Sequence, residues 1–339
     1  MDSNNIIEII RKKIENNIME NHLIDNNDKI VVAVSGGPDS MCLLDNLNEL
    51  KNTFKDKYNI DYTLYVAHVN HKIRLESEEE KVYVKDFCDK IGVDFYYKEA
   101  NIPKLTHELK LSEETCGRKI RYEFFEEVIE KVGAKKLAVA HNLNDNVETI
   151  FLNIIRGCGL KGLIGMEYIS SNMIRPMLNI EKSDILKYCE ARKLHPCFDI
   201  TNEQDVHMRN KVRLRLIPTL KNEYNSNILQ NIIRMKELVS VDNDFLEKYT
   251  NEIVKKSIIS NSDNKILFNY KDLVKEHEAI RQRSMRQIIC LKLGNLDGIE
   301  KIHIIDILKL LDNNIKGKKY IIGNKFTVEI KGKHTAIIY

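Results

Sequence analysis

Four short β-branched or aromatic runs, each followed by an amphipathic segment, constrain this chain more than any other feature. "KIVVAV" leads into "SMCLLDNLNEL", "TLYVAHV" into "SEEEKVYVKDFCDKIG", "VDFYYKE" into a helix around "EETCGRKIRYEFFEEVIEKVG", and "KLAVAH" into "NDNVETIFLNIIRG". Val84, Phe87, Cys88 and Ile91 fall at i, i+3, i+4, i+7, and Val147, Ile150, Phe151 and Ile154 repeat the spacing, so both segments predict helices. The strands are continuous rather than alternating, as expected where both faces of a sheet are covered. This βαβα order predicts an α/β, Rossmann-like parallel sheet with helices on both faces. Ligands of such sheets bind beyond the carboxyl ends of the strands. Here those ends are 35–40, 68–74 and 141–145.

At 339 residues the chain exceeds the ~250–300 at which single cores stop growing, so two domains are expected. The α/β pattern fills 1–217. Beyond it, 218–339 reads as a smaller, mainly helical domain, with long amphipathic segments such as "EHEAIRQRSMRQIICLKL" and terminal basic strands. No apolar stretch approaches the ~20 residues that span a bilayer, so the cytoplasm is the expected location and no membrane partner is expected. Seven scattered cysteines without a CxxC pair argue against a disulfide framework and against a zinc or iron–sulfur site. His68, His71 and His141 at strand ends lack a further ligand at zinc spacing. Net charge is only +3, but it is −3 through Ile217 and +6 from Pro218 on. Lys316, Lys318, Lys319, Lys325, Lys331 and Lys333 crowd the last strands, a surface suited either to a polyanion or to plain solvation.

The first strand ends in "SGGPDS". Two glycines and a helix start surround this turn with unobstructed backbone N–H groups, a geometry that binds phosphate. Neither the Walker spacing nor GxGxxG is present. Ser35, Asp39 and Ser40 add hydroxyls and a carboxylate that suit phosphate oxygens and magnesium.

"SGGPDS" resembles the pyrophosphate loop of the ATP pyrophosphatases, which split ATP into AMP and pyrophosphate while adenylating a carbonyl oxygen. "HVNHKIR", "EETCGRKIRYEF", "AHNLNDNVETIFLNIIRGCGLKGLIGM", "IRPML" and "DITNEQDVHMRNKVRLRLIP" follow in the order found in tRNA(Ile)-lysidine synthetases. The chain resembles that family over roughly 29–220, and in length it resembles a short or truncated form. The resemblance implies transfer of free L-lysine, through its side-chain amine, to C2 of the wobble cytidine of an isoleucine tRNA with a CAU anticodon. ATP and magnesium are the implied co-substrate and ion. A homodimer is the default assembly.

By the same resemblance, Ser35, Gly36, Gly37, Pro38, Asp39 and Ser40 hold the ATP phosphates, with Asp39 near magnesium, and His68 and Asn70 line the ATP pocket. Asp39, Arg118 and Asp145 are the expected catalytic groups. Arg118 and Arg121 lie three apart and share a helix face. His71, Arg74, Arg121, His141, Glu148, Arg209, Asn210 and Arg213 are expected at the RNA or lysine; Lys318 and Lys319, beyond the resemblance, are expected on RNA phosphate from their charge. Where the family carries two adjacent acids, this chain has Asn144 before Asp145. Asn144 reads as a helix cap, with Glu148 one turn on as a candidate replacement. The glycines of "RGCGLKGLIGM" read as a loop over the site rather than as helix. Among competitors, a tRNA-thiolating enzyme would need paired cysteines, a small-molecule amide synthetase leaves the basic end unexplained, and a non-catalytic RNA or nucleotide module would not need Asp39, Arg118 and Asp145 together.

Overall fold

Strand β1 (Asp28–Ala33) pairs in parallel with β2 (Tyr62–Asn70) on one edge and with β4 (Lys136–Ala138) on the other. In this computed structural model, which describes residues 3–70, 77–100, 106, 112–197, 208–262 and 265–339, β1 lies inside a six-stranded sheet. The sheet continues through β3 (Asp94–Glu99) beyond β2, and through β6 (Met173–Ile174) and β5 (Ile169–Ser170) beyond β4. Among the described residues of this sheet, only the β5–β6 pair is antiparallel. Ile30, Val31 and Val32 are fully buried. Because side chains alternate along a strand, Ile30 and Val32 enter one core and Val31 the other. Each contributes about 1.5–3 kcal/mol relative to exposure.

On the Ile30 face pack α1 (Ser3–Glu20), α2 (Pro38–Tyr58), α3 (Ser77–Ile91) and α7 (Lys182–Ala191). On the Val31 face packs α4 (Glu113–Val132), which starts at Ser112, whose hydroxyl accepts from Thr115 N, and stops at left-handed Gly133. The expected α/β architecture is therefore present, with helices on both faces.

Two more helical elements complete this part: α5 (Leu143–Ile155) with the short turn α6 (Leu160–Leu163), and α8, the helical run 208–224. Within α8 lie two π-turns, Val212–Leu216 and Leu220–Tyr224, in which Ile217 N–H donates to Val212 O and Asn225 N–H to Leu220 O. A step of five residues per hydrogen bond lets Val212 and Ile217, five apart, join Leu143, Val147, Leu152 and Leu229 in one apolar cluster.

That cluster also takes in Ile232 and Ile233 of α9 (Ile228–Ser257). The chain divides into two compact units, 1–236 and 237–339, with the division inside α9. The second unit holds a five-stranded antiparallel sheet in the order β7 (Ile258–Ser262), β8 (Lys265–Asn269), β11 (Thr335–Ile338), β10 (Phe326–Gly332), β9 (Lys319–Ile322). Its core includes Ile266, Phe268, Val328, Ile330, Ala336 and Ile338 from the sheet. The helices α10 (Glu278–Leu293) and α11 (Lys301–Asn313) add Met285, Ile288, Ile304 and Ile307. The sequence reading gave only the terminal strands; β7 and β8 add two more, and the alternation of buried Ile266 and Phe268 with their neighbours is the signal it passed over. No helix of the described residues is long and apolar enough to cross a membrane.

Candidate active site

The site begins where β1 gives way to α2. Gly37 caps the helix, Pro38 opens it and Asp39 lies in its first turn. Gly36 has φ +89°, a conformation that L side chains rarely adopt, and a Cβ there would lie 3.4 Å from Val84 Cγ2. The hydroxyls tie the turn: Ser35 N–H donates to Ser40 Oγ (3.1 Å), and Ser40 Oγ donates to Gly37 O (3.0 Å). The result is a fixed concave backbone at the positive end of a long helix, suited to an anion.

Asp39 is held from two other elements. Lys182 Nζ, at the start of α7, lies 2.6 Å from one of its oxygens, and Asn142 Nδ2 donates to the other at 3.1 Å. Burial pushes the Asp39 carboxyl up; Lys182 pulls it down, and the nearby Asp145 charge adds to the rise.

Asp145 sits in a capping box. Its Oδ2 accepts from Asn142 N–H, while Asn142 Oδ1 accepts from Asp145 N–H, both at 3.1 Å. Its other oxygen faces Arg213 Nη2 at 3.3 Å and Arg209 Nη2 at 3.4 Å. One turn further on, Glu148 is 1% exposed and takes Arg213 Nε at 2.6 Å and Arg209 Nε at 2.8 Å. Two carboxylates from α5 and two guanidiniums from α8 thus form one charge-assisted lattice. Burial lowers the affinity of Arg213 for its proton, but Glu148 and Asp145 reverse this and raise it above its ordinary value.

His141, just after β4, accepts at Nδ1 from Arg175 Nε (3.2 Å). Burial lowers its pKa to about 4, and Arg175, Arg209, Arg118 and Arg121 push in the same direction. Arg118 stacks its guanidinium 4.9 Å from the Tyr122 ring centre and is otherwise exposed, as is Arg121.

Among the residues expected from sequence, the loop 35–40, Asp145, Glu148, Arg209, Arg213, His141, Arg118 and Arg121 come together. His68 and Asn70 end β2 beside the loop but are buried, 1% and 2% exposed. The ring of His68 donates through Nδ1 to Val34 O at 2.8 Å and stacks on Tyr97. Asn210 is half-buried on α8. His71 and Arg74 lie outside the described residues. Lys318 and Lys319 belong to the second unit, where Lys319 pairs with Glu329 at 3.5 Å.

Two readings of the sequence change. Asn142, not Asn144, caps α5; Asn144 Oδ1 accepts instead from Lys182 N–H, at 3.0 Å, and so caps α7. The glycine-rich stretch contains a helical turn, α6, because Gly162 permits close packing where a Cβ would meet Cys158 Cβ. The sequence reading missed Lys182, Asn142 and Arg175. Arg175 lay in view within "IRPML", but nothing local indicates that it meets His141, 34 residues earlier. No group of three or more His, Cys, Asp or Glu among the described residues is placed to hold a metal ion on its own.

A family model for the PP-loop domain matches residues 7–220. The tRNA(Ile)-lysidine synthase of Clostridioides difficile (strain 630) is 42% identical over 308 residues, 90% of this chain and 65% of that protein. The tRNA(Ile)-lysidine synthase of Caldanaerobacter subterraneus subsp. tengcongensis is 40% identical, over 91% of this chain and 64% of that protein. The chain therefore spans about two thirds of the length of these relatives. Among solved structures, the U34-tRNA thiolase NcsA of Methanococcus maripaludis, with its 4Fe-4S cluster, matches with a TM-score of 0.54 at 21% identity. That match covers 68% of this chain and 80% of the other, and the likeness is one of fold.

Proposed function

The chain belongs to the PP-loop family, and from that premise we propose that it is an ATP-dependent ligase of tRNA. It joins the side-chain amine of free L-lysine to C2 of the wobble cytidine of an isoleucine tRNA with a CAU anticodon, with AMP and pyrophosphate released. The product pairs with adenosine, so the tRNA reads AUA. What supports this reading is the convergence of the site in a chain similar to such relatives. A phosphate-binding turn, two carboxylates and a group of arginines converge at the carboxyl end of β1 and β4, in a chain 42% identical to a tRNA(Ile)-lysidine synthase.

The chemistry asks for three things. The cytosine C2 oxygen is a poor leaving group until it is adenylated, so ATP must be held with its α-phosphorus toward the base. The loop 35–40 supplies the backbone donors for the phosphates, and Lys182, 2.6 Å from Asp39, supplies a cation beside them. Asp39, with its neighbour Asp145, provides the carboxylate environment for a magnesium ion arriving with ATP; that ion supplies charge neutralisation of the phosphates. Positive charge must meet the developing charge on the phosphoryl group, and Arg118 and Arg121 are exposed guanidiniums near enough for their charge to act on His141. Finally, the lysine amine, with a free pKa of ~10.4, must lose a proton before attack. Asp145 is the carboxylate within reach to bind the ammonium and to receive that proton, while the buried Glu148 holds Arg209 and Arg213 beside it.

The test is single-turnover incorporation of labelled lysine into the isoleucine tRNA transcript, with ATP and magnesium, comparing the protein with its Asp145→Asn variant. Incorporation that needs ATP, is confined to the CAU anticodon and falls at least ~100-fold in the variant is the expected result. Pyrophosphate release without lysine transfer would retain the loop assignment and remove the nucleophile; neither reaction in the folded protein would sink the reading.

A further inference from the structure

We propose that Arg175 is a positioning residue for His141, holding the imidazole as the tautomer with its proton on Nε2, so that the ring offers the site a fixed hydrogen-bond donor rather than a base. A guanidinium has only donors. When Arg175 Nε points at His141 Nδ1 across 3.2 Å, that nitrogen must present its lone pair. Arg175 itself has little freedom: it is 9% exposed, with Nη1 donating to Glu167 O at 2.8 Å and Nη2 to Met173 Sδ at 3.1 Å. Its backbone N–H is also tied, to Tyr168 O at 2.9 Å. The short β5–β6 hairpin thus carries a clamped guanidinium to the end of β4.

An imidazolium carries a proton on both nitrogens and has no lone pair to offer Arg175, and the surroundings also oppose charge. The charged groups bearing most on the ring are all cations: Arg175 after β6, Arg118 and Arg121 on α4, and Arg209 on α8. With Nδ1 accepting and the ring neutral, the remaining proton is on Nε2. A neutral imidazole of this kind polarises an oxygen by donating from Nε2, and it does not compete with Asp145 for the proton of the incoming amine. The placement of His141 at the substrates rests on the function proposed above; the tautomer does not.

Histidine nitrogen NMR on the uniformly 15N-labelled protein tests the tautomer without any assay of activity. The His141 signals are assigned by their loss in His141→Gln. Nδ1 is expected to resonate as a bare, lone-pair nitrogen and Nε2 as a protonated one, with neither moving between about pH 8 and about pH 5.5, where an ordinary histidine titrates. In Arg175→Met the two tautomers are expected to mix and the titration to move up toward the ordinary value. Arg175→Lys, which keeps the charge but cannot span three acceptors, is expected to lie between. A wild-type ring protonated on Nδ1, or an imidazolium near neutral pH, would overturn the proposal with no variant needed. An Arg175→Met protein that folds with its His141 tautomer unchanged would do so as well. In the lysine-incorporation assay the same variant is expected to lose about 10- to 100-fold in kcat, with the KM for ATP little changed. If no lysine is transferred by any form while the nitrogen spectra are as expected, the function fails and the tautomer stands.

Discussion

Asp39 carries opposed demands in a single side chain. Burial, and then the neighbouring Asp145 charge, raise its pKa in the fold despite the pull of Lys182. A folded-state value above the unfolded one means that the fold favours the neutral acid. That contribution is complete below the unfolded pKa and is lost as pH rises through the folded one. At neutral pH the ionised Asp39 therefore weighs against stability, and Asp39→Asn is expected to unfold at higher urea than the parent. The gap should close as pH falls through the titration of Asp39, while lysine incorporation falls at least ~100-fold. Urea midpoints at about pH 7 and about pH 4 check this; an Asn variant less stable at neutral pH would mean that the Lys182 pair outweighs burial. Asp39 was legible in the sequence because the turn that holds it is local. Lys182 was not, since 143 residues separate it from its partner and only the packing of α7 beside α2 brings them together. For the same reason Asp145 stood out beside a strand end, whereas its sharing between a helix cap and two arginines did not.

At the scale of elements, α5 is the support of the site and α6 is its brace. Met166 N–H donates to Asn146 Oδ1 at 2.8 Å and Asn153 Nδ2 donates to Gly162 O at 2.9 Å, so the glycine-rich segment lies along the helix that bears Asp145 and Glu148. Gly165, at φ +64°, closes that contact; a Cβ would fall 2.5 Å from Asn146 Oδ1 and 2.7 Å from Ile150 Cγ1. Gly165→Ala is expected to cost about 2–3 kcal/mol, from backbone strain and overpacking together. Chemical denaturation measures it, and a loss under about 0.5 kcal/mol would mean that the segment relaxes freely. The elements of the sheet were the most legible part of the chain, since β1 and β2 are long β-branched runs. The two-residue strands β5 and β6 carry no periodicity at all, and so the hairpin that presents Arg175 could be found only in the fold.

Over the whole molecule, the surplus of positive charge falls in 218–339, and the last strands present much of it. These lysines are not equivalent. Lys319 and Lys331 both engage Glu329, at 3.5 and 2.7 Å. If this surface meets RNA phosphate, Lys318→Ala is expected to lower the slope of log affinity against log salt by about 1, and Lys319→Ala by less, because part of its charge is already neutralised within the sheet. Filter binding of the tRNA across a salt series separates them; equal slopes for both variants and the parent would remove these lysines from the interface. Composition disclosed where the charge lies, yet it could not disclose Glu329 as the shared partner, which depends on the register of β9 against β10.

The π-turns of α8 give that segment one residue more per turn than an ordinary helix needs. Ile217 reaches the apolar cluster because five residues, not four, close the turn from Val212. Arg209 and Arg213 stand at the start of the same run. Removing one residue from 214–216 would leave Val212 and the present Ile217 four apart, the spacing at which an ordinary α-turn returns to the same face. Ile217 and Leu229 would then keep their cluster, and Arg209 and Arg213, which stand before the deletion, would keep Glu148. In this stretch the chain can lose a letter as well as exchange one, so natural variation here is expected to include single-residue deletions.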